Sequence, residues 1–412
     1  MNSLNGSVDV LIIGAGPSGS LASTLLTRFG YRVLVLEQSR FPRFSIGESL
    51  LPQCMAFMDE AGMLDAVESQ GYQFKNGAAF SCGEAYDAFD FTDKFSAGPG
   101  TTFQVPRADF DWVLADEAQR QGVEIRFGHR VETVERDAGI SRVRVYNQEG
   151  EGYSVEAGFV LDASGFGRVL PRLLGLEVPS EFPVRKSIMT HIEDGIVDPD
   201  YDRNKILITV HPQNRDVWFW LIPFGDGRCS VGVVARVEFY QRYEGSDEQI
   251  LKQLIAESGW QASLLSNARF DTQVRTHTGY SANVSTLCGD GFALLGNAGE
   301  FLDPVFSSGV TIAMKSAVLA AQVLDAQLQG AEVDWQAAYA APLMKGVDTF
   351  REFVTAWYDG RLQQVIFSRN KNPEVRRMIS AILAGYAWDE ANPYVREPGR
   401  LTTLAELCRD DS

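Results

Sequence analysis

Residues 8–20 read VDVLIIGAGPSGS: an apolar, β-branched run, Val8–Ile13, leads straight into Gly14, Gly16 and Gly19 in the spacing G-x-G-x-x-G. The first glycine permits a tight turn, and the second lets backbone approach a pyrophosphate. The third lets the following helix pack closely on the strand, so that its N-terminus, with Pro17 and Ser18, faces the phosphates. A helix over Pro17–Phe29 and a strand over Tyr31–Glu37 complete one βαβ unit. Glu37, at the end of that strand, stands where a carboxylate can accept from ribose hydroxyls. A lone glycine fingerprint is a weak signal. Here both flanking elements and the acid are in register, and the segment reads as a dinucleotide site.

The rest of the chain is built to match. Its 412 residues suit two domains with a terminal extension, and 45% hydrophobic with 22% charged residues can bury a large core. The formal charge of −17, from 37 basic and 54 acidic residues, repels phosphate backbones and argues against a nucleic-acid partner. No apolar run approaches the roughly 20 residues that span a bilayer, and no basic leader precedes the first strand. Cys54, Cys82, Cys229, Cys288 and Cys408 are scattered, without a Cys-x-x-Cys pair, as in reduced thiols of a cytoplasmic protein. The four histidines lie far apart, without metal-ligand spacing.

Along the chain, a helix over Asp109–Gln121 and a strand over Val123–Phe127 precede a meander over 131–160, turning at Asn147–Gly152. From about 184 to 285 the pattern is mostly strand, which reads as an antiparallel sheet. Beyond 330 it becomes helical, with apolar residues at helical spacing over Val347–Tyr358 and Glu374–Tyr386. The fold expected is α/β. A Rossmann-type dinucleotide-binding domain takes residues 1–75, 104–172 and 285–330, and an interleaved antiparallel-sheet substrate domain takes 76–103 and 173–284. A helical region over 331–412 closes the substrate pocket.

Two later segments separate FAD from NAD. Val160–Gly165 is a strand ending in an Asp-x-x-Gly turn at Asp162 and Gly165. Residues 289–298 form a strand running into small residues at Gly296 and Asn297, with a helix following from Gly309 and Val310. Together with the glycine turn, these resemble the segments by which glutathione-reductase-like flavoproteins, especially the aromatic-hydroxylase branch, hold FAD. The resemblance covers most of residues 8–320. One departure is Gly296-Asn297 where that family usually has Gly-Asp: asparagine can bond the ribityl chain but brings no charge. Arg107 matches the arginine that lies beside the flavin in this branch. The alternative is a surface arginine near a helix start.

Three further motifs are similar to those of flavin-dependent halogenases. The segment Arg40–Pro52 carries Arg43, Gly47, Glu48 and Ser49, a pattern that isoprenoid reductases share. Residues 218–223 read WFWLIP, fitting W-x-W-x-I-P, and residues 301–309 read FLDPVFSSG, fitting F-x-x-P-x-x-S-x-G. The resemblance implies that Trp218 and Trp220, with Ile222 and Pro223, wall the flavin off from a bulky substrate. It also implies a halide in the backbone nest at Ser307, Ser308 and Gly309. On residue pattern alone, two indoles on one face of a strand also describe ordinary core. Lys75, in FKNGAAF over 74–80, matches the K-x-G-x-x-F lysine of the phenol and pyrrole branch. Desolvation at a domain boundary would lower its pKa and suit it to carry an electrophilic halogen. The plain alternative leaves its head in solvent.

The resemblance therefore implies a halogenase: reduced FAD and oxygen oxidise a halide, and Lys75 passes the halogen to an electron-rich ring, a phenol or pyrrole, free or tethered to a carrier protein. Because no second glycine fingerprint is present, reduced FAD is expected from a separate flavin reductase. A basic run at Arg361, Arg369, Lys371, Arg376 and Arg377 offers a docking face for an acidic carrier, or simply a solvated helix face. The rival readings are a dehydrogenase, reductase or monooxygenase on the same scaffold, and a flavin-binding module without turnover.

Overall fold

The apolar run Gly6–Ile13 becomes the middle strand of a parallel sheet. Neighbour by neighbour, the order is Phe292–Leu294, Gly152–Asp162, Gly6–Ile13, Val33–Glu37 and Glu124–Phe127. Leu11, Ile12, Val35 and Leu36 are at most 1% exposed, because the sheet is covered on both faces. These features come from a computed structural model that describes residues 6–408. The helix Pro17–Arg28 packs against the long helix Ser308–Leu328 and against Arg107–Arg120. The predicted meander forms as His129–Asp137, Ile140–Asn147 and Gly152–Asp162, antiparallel throughout.

A second sheet of seven strands runs in the order Arg275–Thr278, Arg185–Glu193, Arg228–Arg236, Asn214–Pro223, Lys205–His211, Gly77–Cys82 and Ala85–Asp90. It is antiparallel except where Lys205–His211 runs parallel to Gly77–Cys82. Its two faces separate cleanly, as alternation on a strand requires. Met189, Trp218, Trp220 and Ile222 join the core shared with the first sheet. Phe219, Leu221, Val231 and Val233 form a second core.

That second core corrects the expectation of strand over most of 184–285. It is covered by the helices Asp247–Ala256 and Trp260–Leu264. The signal was present: Ser246 and Gln249 make a capping box, and Ile250, Leu251, Leu254 and Ile255 share one helical face.

The C-terminal region is helical, with Ala341–Tyr358 following a π-helical turn at Gln336–Ala340. Trp357 drives into the shared core, with ring centroids 5.8 Å from Phe80 and 5.9 Å from Phe306. The helix Pro373–Leu383 is tied to Ala85–Asp90 through Arg376, whose guanidinium holds Asp87 at 2.7 and 2.9 Å. Lys371 pairs with the same Asp87, Arg377 with Asp93, and Arg361 with Glu352 and Asp359. Most of the basic run is thus already neutralised by acids of this chain.

One helix, Ser308–Leu328, is long and apolar enough to cross a membrane, against the expectation that no such run exists. It is a core helix here: Ile312, Met314, Ala317, Ala320, Ala321 and Leu324 are at most 2% exposed.

Candidate active site

Between the two sheets lies a cavity of about 320 Å³. The glycine turn lines it with Gly14, Gly16, Pro17 and Ser18. Glu37, the segment Arg43–Ser49, Arg107, Gly165 and Asn297 continue the lining. Trp218, Trp220 and Ile222 face it from the second sheet, and Ser307, Gly309 and Val310 from the start of the long helix.

The three glycines do different work. Gly14 has φ +99°, and a Cβ there would fall 2.6 Å from the Ala163 carbonyl oxygen. A Cβ on Gly19 would fall 1.9 Å from the Gly14 oxygen, so the helix can approach the strand only because no side chain intervenes. At Gly16 a Cβ would meet only Arg43, at 3.5 Å, which also lines the cavity. Gly16→Val is therefore expected to fold with a normal melting temperature while FAD binding, followed by flavin fluorescence, is lost. A variant that retains flavin would show that no phosphate passes Gly16.

The remaining lining suits a dinucleotide. Glu37 accepts from the Ala15 amide at 3.0 Å and the Ser39 amide at 2.8 Å, which fixes the carboxylate and leaves lone pairs for hydroxyls. Asn297 Oδ1, Ser49 Oγ and Tyr280 Oη are buried without a hydrogen-bond partner, and all three residues line the cavity. Unpaired buried polar atoms cost about 1–3 kcal/mol each, so their presence together marks a ligand's place. Arg107 and Arg43 both hold Asp111, at 2.7 and 2.8 Å, leaving two guanidinium groups against one carboxylate at the cavity edge. Arg107 also donates to the Ile46 carbonyl.

Five residues expected at the cofactor, wall or halide site do not line the cavity. Asp162 is fully buried and accepts from the amides of Ser164 at 2.9 Å and Leu170 at 2.6 Å, so it builds the turn that Gly165 belongs to. Gly19 serves helix packing. Gly296, with φ +50°, lets the chain pass the Ser308–Leu328 helix, where a Cβ would lie 2.8 Å from Ala313. Ser308 is 2% exposed beneath its neighbours, and Pro223 ends its strand beyond the cavity. Asp162, Gly19 and Gly296 shape the site by fixing the backbone, which motif spacing cannot separate from contact.

Near the helix start, Pro304–Phe306 forms a 3₁₀ turn, Ser307 takes φ +57°, and helix begins at Ser308. The first amides of a helix have no intrahelical acceptor, so the helix start at Ser308 and Gly309 presents N–H groups beside the cavity, whereas the Ser307 amide donates to the Pro304 carbonyl at 3.0 Å. Asp303 caps the turn by accepting from the Val305 amide at 3.0 Å.

The two tryptophans are anchored separately, with ring centroids 5.9 Å apart. Trp220 donates to Ser230 Oγ at 3.0 Å and lies on Gly232, where a Cβ would come within 2.3 Å of its ring. Trp218 donates to Tyr358 Oη at 2.9 Å, and Tyr358 donates in turn to Asp303 at 2.8 Å. Arg185 stacks 3.4 Å over the Tyr358 ring. Burial raises the Asp303 pKa to about 6, against the opposing pull of Arg185 and Tyr358. The sequence reading missed Tyr358 and Arg185, since neither stands in a motif and both reach the wall only through tertiary packing.

Lys75 lies outside the cavity. It ends the short strand Gln73–Lys75, paired with Thr102–Gln104, and is 1% exposed. Its ammonium donates to the Leu50 carbonyl at 2.7 Å and sits 5.6 Å from the Phe91 ring centre. It has no carboxylate partner among the described residues. Burial pushes its pKa down to about 7, with Cys54 acting weakly the other way. The reading that leaves its head in solvent is excluded by this burial.

A Rossmann-type sheet, a glycine turn and a long cavity facing a second sheet define an FAD-dependent oxidoreductase. Residues 7–341 match the family described as FAD binding domain, and the chain belongs to that family. Within it, the chain is halogenase-like. It is 33% identical over 349 residues to the tryptophan 2-halogenase of Chondromyces crocatus, covering 81% of this chain but only 64% of that relative. It is 27% identical over 405 residues to a 1H-pyrrole-2-carbonyl-[peptidyl-carrier protein] chlorinase of Pseudomonas fluorescens, covering 92% and 89% of the two chains. Among solved structures, a flavoprotein/dehydrogenase from Cytophaga hutchinsonii superposes with a TM-score of 0.95 at 45% identity, covering 98% of this chain and 99% of that one. The flavin-dependent brominase Bmp2 superposes with a TM-score of 0.83 at 25% identity, covering 98% and 100%.

Proposed function

We propose that this chain is a flavin-dependent halogenase acting on an electron-rich aromatic ring, a phenol or a pyrrole. The observation that carries the reading is Lys75: a buried amine without a carboxylate partner among the described residues, with a pKa pushed down to about 7, set apart from the cofactor cavity. Bound in its reduced form, FAD would supply the two electrons that reduce oxygen to an oxidant able to oxidise a halide. The glycine turn, Glu37, Arg43, Arg107 and Asn297 hold the cofactor. The amides of Ser308 and Gly309, at the start of the long helix, hold the halide, while that of Ser307 is taken by the Pro304 carbonyl at 3.0 Å. Trp218 and Trp220 keep the ring from the cofactor, and Lys75, whose burial favours the neutral amine, takes up the halogen and passes it on. Similarity to the pyrrole chlorinase supports a substrate tethered to a carrier protein. Exposed Arg369 is a better probe of that docking than Arg376, whose reversal would strip Asp87 of a partner. The proposed location is the cytoplasm.

The test is incubation with a flavin reductase, NADH, bromide and a panel of phenols and pyrroles, read by mass spectrometry for the bromine isotope doublet. A second reading, a dehydrogenase on this scaffold, is favoured by the description of the 45% identical Cytophaga structure. It predicts no brominated product and reduction of bound FAD by an organic donor. Under either reading, the protein alone is expected to oxidise NADH slowly, because it has a single glycine fingerprint. Rapid NADH oxidation without the reductase would contradict this.

A further inference from the structure

The cofactor cavity has a neighbour of about 230 Å³ that reaches the surface through the exposed residues Thr272, Gln273 and Arg275. Phe44 and Glu48 line both cavities. Glu48 is 3% exposed, and its carboxylate lies 2.5 Å from Nε2 of His191, which lines the second cavity and not the first. The imidazole is steadied by an edge contact to Phe224 at 5.2 Å. His191 pairs across the sheet with Ser230, the residue that accepts from Trp220. The pair therefore stands beside the tryptophan wall.

We propose that His191 and Glu48 form a proton relay from the second cavity into the cofactor cavity. The proposal rests on the halogenase reading, whose stoichiometry requires such an entry. Reduced FAD, oxygen, a halide ion and one proton give oxidised FAD, hypohalous acid and water. Two electrons leave the flavin and two leave the halide; one oxygen atom ends in water and the other in the hypohalous acid. The two hydrogens of the reduced flavin do not suffice for the three in the products, so one proton enters from solvent. The His191 imidazolium gives its Nε2 proton to the Glu48 carboxylate, Glu48 releases it into the cofactor cavity, and solvent in the second cavity recharges the imidazole. Burial, Arg228 and Arg275 oppose the imidazolium, but Glu48 outweighs them and holds the pKa above its ordinary value. Simple release of hydrogen peroxide, by contrast, needs no net proton.

The test compares wild type, His191→Gln and His191→Phe as FAD-loaded enzymes with reductase, NADH and bromide, trapping hypobromous acid with monochlorodimedone across pH. In both variants hypobromous acid is expected to fall roughly 100-fold, hydrogen peroxide to rise, and FAD content to stay as in wild type. Separately, NMR titration of His191 in the oxidised, FAD-loaded protein should show its pKa falling in Glu48→Gln. Wild-type yield and pH profile in both His191 variants would overturn the relay alone, as would a His191 pKa indifferent to Glu48→Gln. Absence of hypobromous acid from wild type at every pH overturns the halogenase reading, and the relay with it.

Discussion

Lys75→Met should lower halogenated product by roughly 100-fold or more, about 2.7 kcal/mol in barrier terms, while FAD binding and oxygen consumption stay near wild type. The separation is geometric: Lys75 is bonded to Leu50 and does not line the cofactor cavity. Its burial also decides how the variant folds. In the unfolded chain the lysine keeps its proton up to 10.5, whereas in the folded chain it loses it near 7. Between those values the unfolded state binds more protons, so wild-type stability rises with pH from about 7 to about 10.5, and below 7 the full cost of burying the charge is present. At 1.36 kcal/mol per unit that cost is at most about 5 kcal/mol. Methionine removes it, at the expense of leaving the Leu50 carbonyl unpaired, about 1–3 kcal/mol. The variant is thus expected to fold at neutral pH and to lack the alkaline rise, which urea denaturation at pH 7 and 9.5 will measure. Loss of flavin together with product would make Lys75 a structural residue, and full product yield would show that it carries no halogen.

Trp220→Ala has the other large expected effect. Trp220 is 4% exposed, and truncating a buried tryptophan costs about 3–5 kcal/mol. The change also leaves Ser230 without its indole donor and uncovers Gly232. In protein that remains folded by circular dichroism, hydrogen peroxide released per NADH consumed should rise several-fold as the cavity opens on that side. A folded variant with unchanged peroxide would mean that Trp220 is core and no barrier. Tyr358→Phe is the milder companion: it keeps the ring under Arg185 and removes the bonds to Trp218 and Asp303.

What the sequence determined by itself was whatever depends on neighbours along the chain. The strand, glycine turn and helix over 8–28 are local, and so are the acid at Glu37 and the alternation that turns Trp218, Trp220 and Ile222 to one face. Spacing carries all of these, because a turn needs its glycine and a strand its period within a few residues. Asp247–Ala256 was legible too, through its capping box, and was lost under the strand pattern around it. Only the tertiary structure could tell lining from support. Asp162 and Gly19 stand in the same motifs as Ser18 and Gly165, yet they hold the backbone and do not line the cofactor cavity. It alone brought Glu48 to His191 across 143 positions and Tyr358 to Asp303 across 55. It alone buried Lys75, since desolvation is set by what packs around a charge from distant segments, here Leu50 and Phe91, and no local pattern records that.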